Sequence, residues 1–201
     1  MANRWNERYA REDFLFGTAP NAFLTAQKHR LPAAGTALAV ADGEGRNGVW
    51  LAEQGLDVLA VDASDVGLAK SRRLAAERGV ALAWECADLA SWDFGHERFD
   101  VIAAIFIQFA DPALRARMFA GMQAALKPGG VLLLEGYRPE QLAYGTGGPS
   151  EVANLYTEQL LRESFAELEI EHLAVYDAAI QEGAGHDGMS ALIDLVARKS
   201  R

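Results

Sequence analysis

The sequence predicts an α/β protein built on a doubly wound, mostly parallel seven-stranded sheet that ends in an antiparallel hairpin. Three observations predict it. Short apolar runs alternate with helix-period segments from residue 36 to residue 137. Glycines or Ser/Asp capping residues stand at the joints between them. Two long strand-like runs close the chain, joined by the Gly-rich "EGAGHDG", and so short a connection makes them antiparallel.

"TALAVA" (36–41) is a short apolar run ending in a Gly-rich turn and reads as a buried strand. "GVWLAEQ" (48–54) supplies a helix closed by Gly55. "LDVLAVD" (56–62) is the second strand. "SDVGLAKSRRLAAER" (64–78) is a helix with Ser64 as N-cap, ending at Gly79. "VALAWEC" (80–86) is the third strand. "FDVIAAIFI" (99–107) is almost wholly apolar, as a strand buried on both faces should be. In "DPALRARMFAGMQAAL" (111–126), Asp111 caps a helix that has Pro112 in its first turn. "LKPGG" (126–130) reads as a turn before the fifth strand, "VLLLEGY" (131–137). The Gly-rich "YGTGGP" (144–149) and a short helix near 157–165 precede the strands at 167–178 and 189–199.

A chain of 201 residues is long enough to bury one sizeable core, and a single domain is expected across 1–201. The net charge is −9, and no Lys/Arg run exceeds two residues, which argues against nucleic acid as a partner. The single cysteine, Cys86, excludes a disulfide within the chain and any Cys-rich metal site. Cys86 itself is expected to be a small buried hydrophobe. His29, His96 and His172 have no metal-ligand spacing, so no metal is expected. His186, in the Gly-rich hairpin loop, is expected to face solvent. The opening "MANRWNERYARED" lacks the apolar core of a signal peptide and no run approaches a membrane span. The expectation is a cytoplasmic protein, a monomer or homodimer, without membrane contact.

Ligands of such sheets sit beyond the carboxyl ends of the strands, at the switch in strand order. After the first strand stands Gly43-Glu44-Gly45-Arg46-Asn47-Gly48, a literal G-x-G-x-x-G, followed by an acid, Asp62, at the end of the second strand. Read alone, that spelling suggests a nicotinamide-dependent oxidoreductase. The charges oppose it. Asp42 and Glu44 would repel a pyrophosphate by a few kcal/mol at roughly 4–6 Å, against about 1 kcal/mol from the helix N-terminus. A cationic ligand without phosphate reverses the sign, and S-adenosylmethionine is one. Asp62 suits the ribose hydroxyls. Asp88 suits the exocyclic amine of adenine, and Leu89 offers its backbone N–H.

With these stations in place, the chain resembles class I S-adenosylmethionine-dependent methyltransferases. "GEGRNGVWLA", "VDAS", "ADL", "FDVIAAIF" and "LKPGGVLLLEGY" stand in family order and spacing across residues 36–137, and the terminal hairpin completes the Rossmann-like fold. It is most similar to the tellurite-resistance and thiopurine methyltransferase-like group, through "WNERYA…FLFGTAPNAFL", the G-E-G-R-N loop and "YRPEQLAYGTGGP". The resemblance implies a lid over residues 1–30, a cofactor-binding core over 36–137, and a substrate-side loop, helix and hairpin over 138–201. It implies cofactor contacts at Asp42, Gly43, Glu44, Gly45, Asn47, Asp62, Ala63, Ser64, Asp88, Leu89 and Ile105. Trp5 and Tyr9 would close the site from the lid, and Phe16, Gln108, Tyr137 and Arg138 would lie on the substrate side. The sequence departs from the family pattern in having Ala39 where an acid is usual and Ala41 where the first glycine stands.

The activity this implies is methyl transfer to a small-molecule acceptor. In-line displacement at an activated methyl can be driven largely by proximity and alignment, which can supply roughly 7–11 kcal/mol. No side chain is singled out as a general base. "IFIQF" after the fourth strand lacks the Asn/Asp-Pro-Pro-Tyr of adenine amino-methyltransferases. The alternative is a non-catalytic, S-adenosylmethionine-binding regulatory protein.

Overall fold

Seven strands form one sheet in the computed structural model, which describes residues 2–201. The strands are β1 (Thr36–Val40), β2 (Asp57–Asp62), β3 (Ala83–Cys86), β4 (Phe99–Ile105), β5 (Leu126–Tyr137), β6 (Glu169–Gln181) and β7 (Asp187–Arg198). Their spatial order is β3-β2-β1-β4-β5-β7-β6. The first five run parallel, and β7 is antiparallel to both β5 and β6. The order reverses between β1 and β4, so the switch point lies above their carboxyl ends.

Helices α1 (Ala2–Tyr9), α2 (Ala22–Ala26), α3 (Arg46–Glu53), α4 (Asp65–Arg78), α5 (Pro112–Ala125), α6 (Gln141–Tyr144) and α7 (Glu158–Ser164) complete the framework. Their ends are fixed as the sequence indicates. The Ser64 hydroxyl accepts from Gly67 N, Asp111 from Leu114 N and Thr157 from Leu160 N. Gly79 closes α4 in the left-handed conformation.

Alternate strand residues turn to opposite faces of the sheet. Ala37, Ala39, Ala60 and Ala103 turn to the face covered by Phe23, Leu24 and Leu51 of α2 and α3. Leu38, Val40, Ile102 and Leu132 turn to the other, against Met118, Phe119 and Met122 of α5 and Leu161 of α7. Alanine on one side lets α3 lie close to the sheet, which carries its N-terminus to the end of β1. Phe119 of α5 and Phe165 pack at 4.7 Å between ring centres, their planes tilted by 36°. Each such buried ring contributes about 1.5–3 kcal/mol.

Several expectations of the sequence reading are corrected by the structure. The Lys127–Gly130 stretch, expected as a free turn, belongs to β5: Gly129 N bonds Lys199 O, and Lys199 N bonds Gly130 O. The register against β4 shifts here, since Phe99 pairs with Leu126 but Val101 with Val131. β3 is shorter than expected and starts at Ala83. Cys86 is exposed rather than buried, because β3 is the outermost strand.

Candidate functional site

A cavity of about 390 Å³ opens above the carboxyl ends of β1, β2 and β4. That volume falls within the usual range for small-ligand sites. Strand register assembles one wall. Val40 pairs with Val61 and Asp62 with Cys86, so Ala41, Asp62 and the turn at Asp88 end at one level. The lining there is Ala41, Asp42, Asp62, Ala63, Asp88 and Leu89. The other wall is aromatic: Trp5, Tyr9 and Phe16 from the N-terminal segment, Phe106 and Phe109 after β4, Tyr137 at the end of β5, and His186.

The loop after β1 is shaped by its own backbone. Gly45 has φ +95, and a Cβ there would overlap the Ser71 side chain, so only glycine fits. Ala41 adopts φ +50, the left-handed region in which a methyl group costs about 1–2 kcal/mol. The loop forms with alanine in that place and carries the strain. Asp62 braces the loop: Gly43 N donates to its Oδ2 (2.9 Å) and Ser64 N to its Oδ1 (2.8 Å). Burial raises the Asp62 pKa, and these two hydrogen bonds oppose the rise. Asp42 receives Gly48 N on Oδ1 at 2.9 Å, while its buried Oδ2 has no partner. Burial pushes the Asp42 carboxyl up to about 7. Asp88 accepts from Ala90 N at 2.9 Å, so it caps its own turn as well as lining the cavity.

Glu44 is turned away from the cavity. Its carboxylate meets Lys70 Nζ at 2.7 Å, both side chains buried, and Leu15 N donates to it at 2.8 Å. Lys70 also donates to Asp13 O at 2.7 Å. The pair therefore ties the segment after α1 to the glycine loop, and this corrects the expectation that Glu44 faces the ligand. Further along, Asn21 N donates to Asn47 Oδ1 (3.0 Å) and Ala22 N to Glu182 (3.1 Å). Arg46, buried at the start of α3, lines the cavity and pairs with Glu182 at 2.7 Å.

On the aromatic wall His186 packs against Phe106 (4.3 Å between ring centres), Phe16 (4.5 Å) and Tyr137 (5.6 Å). It is 7% exposed, which corrects the expectation of a solvent-facing loop residue. Burial, then the charges of Arg46 and Arg8, lower its pKa to about 3. Its Nδ1 and the Tyr137 hydroxyl are buried without hydrogen-bond partners. Burial also raises the Tyr137 pKa. Gln108 lines the cavity, but its amide is committed to backbone: Nε2 donates to Tyr137 O (2.8 Å) and Oε1 accepts from Tyr137 N (2.6 Å).

Of the sequence-derived candidates, Trp5, Tyr9, Phe16, Asp42, Asn47, Asp62, Ala63, Asp88, Leu89, Ile105, Gln108 and Tyr137 line one cavity. Gly43, Glu44, Gly45 and Ser64 stand behind it, shaping or bracing the loop. Arg138 lies outside, bound to Asp177 and Glu140. Sequence reasoning missed Arg4, Arg8, Arg46, Phe106, Phe109 and His186. No local pattern marks them, although the loop at Gly147–Pro149, noted for its glycines, also reaches the cavity.

Comparison with known proteins adds the following. The family described as "Methyltransferase domain" matches residues 37–130. A carboxy-S-adenosyl-L-methionine synthase of Geobacter metallireducens is 35% identical over 96 residues, 46% of this chain. That match spans only 37% of the synthase. Among solved structures, one concerns conversion of a disulfide bond into a thioacetal group during echinomycin biosynthesis. It aligns with a TM-score of 0.78 at 18% identity over 100% of this chain and 92% of the other. The N-methyltransferase NodS of Bradyrhizobium japonicum, in complex with S-adenosyl-L-homocysteine, gives 0.74 at 16% identity, over 100% and 98%. TehB of Haemophilus influenzae gives 0.72 at 16%, over 99% of this chain and 67% of TehB. At these identities the structural likeness speaks to the fold.

Proposed function

We propose that this chain, whose residues 37–130 match a methyltransferase domain, is an S-adenosylmethionine-dependent methyltransferase acting on a small-molecule acceptor. The observation that carries the reading is the acidic wall at the switch point, placed where that domain match lies. The residues present fit an adenosyl sulfonium. Asp62 uses one lone pair of each oxygen on backbone N–H groups, which leaves acceptor capacity for a pair of ribose hydroxyls. Asp88 and Leu89 N stand where an adenine edge would be read. Arg46 does not make the wall a phosphate site, since Glu182 neutralises it.

When bound, the cofactor supplies a methyl group already activated on sulfonium. The chain's part is to hold and align it: Asp62 and Asp88 fix its polar groups, and the aromatic wall, with Trp5 stacked on Tyr9 at 5.4 Å, excludes water from the transfer. Titration calorimetry with S-adenosylhomocysteine and, separately, NADH tests this. The reading expects binding of the first and none of the second. Failure of S-adenosylhomocysteine to bind at millimolar concentration would refute it.

A further inference from the structure

We propose that Asn21 is a positioning residue of the cofactor cavity: it holds Asn47 and, through Glu182, Arg46 in place, so the cavity is complete only when the segment between α1 and α2 is seated on the β6–β7 hairpin. The inference rests on the reading of this cavity as the cofactor site, and it extends that reading to a residue that does not line the cavity.

Asn21 is 1% exposed, and each of its hydrogen-bonding groups has a partner. Its backbone N–H donates to Asn47 Oδ1 at 3.0 Å. Its Oδ1 accepts from Leu24 N at 2.9 Å and caps α2, and its backbone O accepts from Thr25 N at 3.1 Å. Its amide Nδ2 donates to Glu135 on one side and to Glu182, at 3.1 Å, on the other. One side chain thus joins α2, β5 and the hairpin, and its own backbone reaches α3. Asn47 and Arg46 line the cavity, so an effect of Asn21 on a ligand passes through them. With Oδ1 of Asn47 taken by Asn21, the donor end of that amide is the part left for the cavity. Glu182 receives Asn21 and Ala22 N and pairs with Arg46, so the amide and the guanidinium converge on one carboxylate.

The surroundings call for a neutral donor. Glu135 on β5, its cross-strand neighbour Asp194 on β7, and Glu182 set three carboxyl groups against the single guanidinium of Arg46. Tyr176 of β6 brings its hydroxyl to 3.4 Å from Glu135, and Tyr137 stands in the field of Glu135 and Glu182. Burial, then the charges of Asp194 and Glu182, raise the Glu135 pKa, and the Asn21 amide opposes that rise.

The rest of the segment is fitted as closely. Gly185 N donates to Leu15 O at 3.1 Å. Gly183 has φ +77, and a Cβ there would stand 2.5 Å from Gly17 N, so backbone packs directly on backbone. Asn21 converts this seating into a fixed placement of two cavity side chains.

Titration calorimetry with S-adenosylhomocysteine on the native chain, Asn21→Ser and Asn21→Asp tests the proposal. Serine keeps an oxygen that can cap α2 but lacks the amide, and Asn21→Ser should bind at least about fivefold more weakly. Asn21→Asp also keeps the cap but turns a carboxylate toward Glu135 and Glu182. Its loss relative to the native chain should be larger at about pH 8 than at about pH 5.5, where the introduced carboxyl can hold a proton and donate again. Combining Asn21→Asp with Glu182→Gln returns an amide and a carboxylate to the same place, so the double variant should lose less than the two single losses together. A general loosening of the fold gives neither the pH dependence nor the recovery. Native affinity in Asn21→Ser, an Asn21→Asp loss equal at both pH values, or losses that simply add would overturn the proposal. Those results leave the cofactor reading standing, because the native chain still binds. Failure of the native chain to bind S-adenosylhomocysteine would remove both.

Discussion

Replacing Asp42 by Asn isolates the energetic consequence of burying a carboxylate under the glycine loop. In the native chain Gly48 N satisfies Oδ1, and Oδ2 has no partner. Burial raises the Asp42 pKa from 3.8 to about 7. Between those values the folded protein holds a proton that the unfolded chain has released. Stability is therefore full below the lower value, falls as pH rises through the upper one, and then levels. Between about pH 5 and about pH 8 this single group withdraws about 2–3 kcal/mol. Asn keeps an oxygen for Gly48 N and cannot ionise. The difference in unfolding free energy between Asp42→Asn and the native chain, measured by urea denaturation, should thus grow in favour of the variant by about 2–3 kcal/mol from pH 5 to pH 8. A difference that stays flat with pH would refute the reasoning, because Asp42 would then be ionised in the fold at both values.

Other expectations follow from the same geometry. Lys70→Met leaves the Glu44 carboxylate buried without its counter-charge and should cost about 3–5 kcal/mol in urea unfolding, with much of the loss restored by adding Glu44→Gln. Ala41→Gly relieves the left-handed strain at φ +50 and should raise stability by up to about 1 kcal/mol, the gain being reduced by the looser unfolded chain. Asp62→Ala should weaken S-adenosylhomocysteine binding by about 1.5–3 kcal/mol in calorimetry.

The acidic wall was legible in the sequence because its residues follow directly from strand ends. Once β1, β2 and β3 are placed in a parallel sheet, register brings Asp62 and Asp88 together without further information. The aromatic wall was not legible. His186 stands in a polar, Gly-rich loop, and its burial is produced by Phe16 and Phe106, each at least 80 residues away in the chain. Glu44 misled for a related reason. Its charge suggested a ligand, but its partner Lys70 comes from α4, and nothing local announces that contact. The early start of β5 was hidden because "KPGG" spells a turn, whereas the pairing of Gly129 and Gly130 with Lys199 depends on the far end of the chain. Local chemistry marked strand ends and caps; contacts between distant segments decided which side chains face the cavity.

The central claim is that the acidic wall binds an adenosyl ligand through Asp62 and Asp88. Diffraction from crystals grown with S-adenosylhomocysteine tests it most directly. Density should fill the cavity above β1 and β2, with both ribose hydroxyls within hydrogen-bond distance of the Asp62 carboxylate and the adenine edge at Asp88 and Leu89 N. A cavity without ligand density at saturating concentration, or a ligand whose ribose lies away from Asp62, would contradict the account.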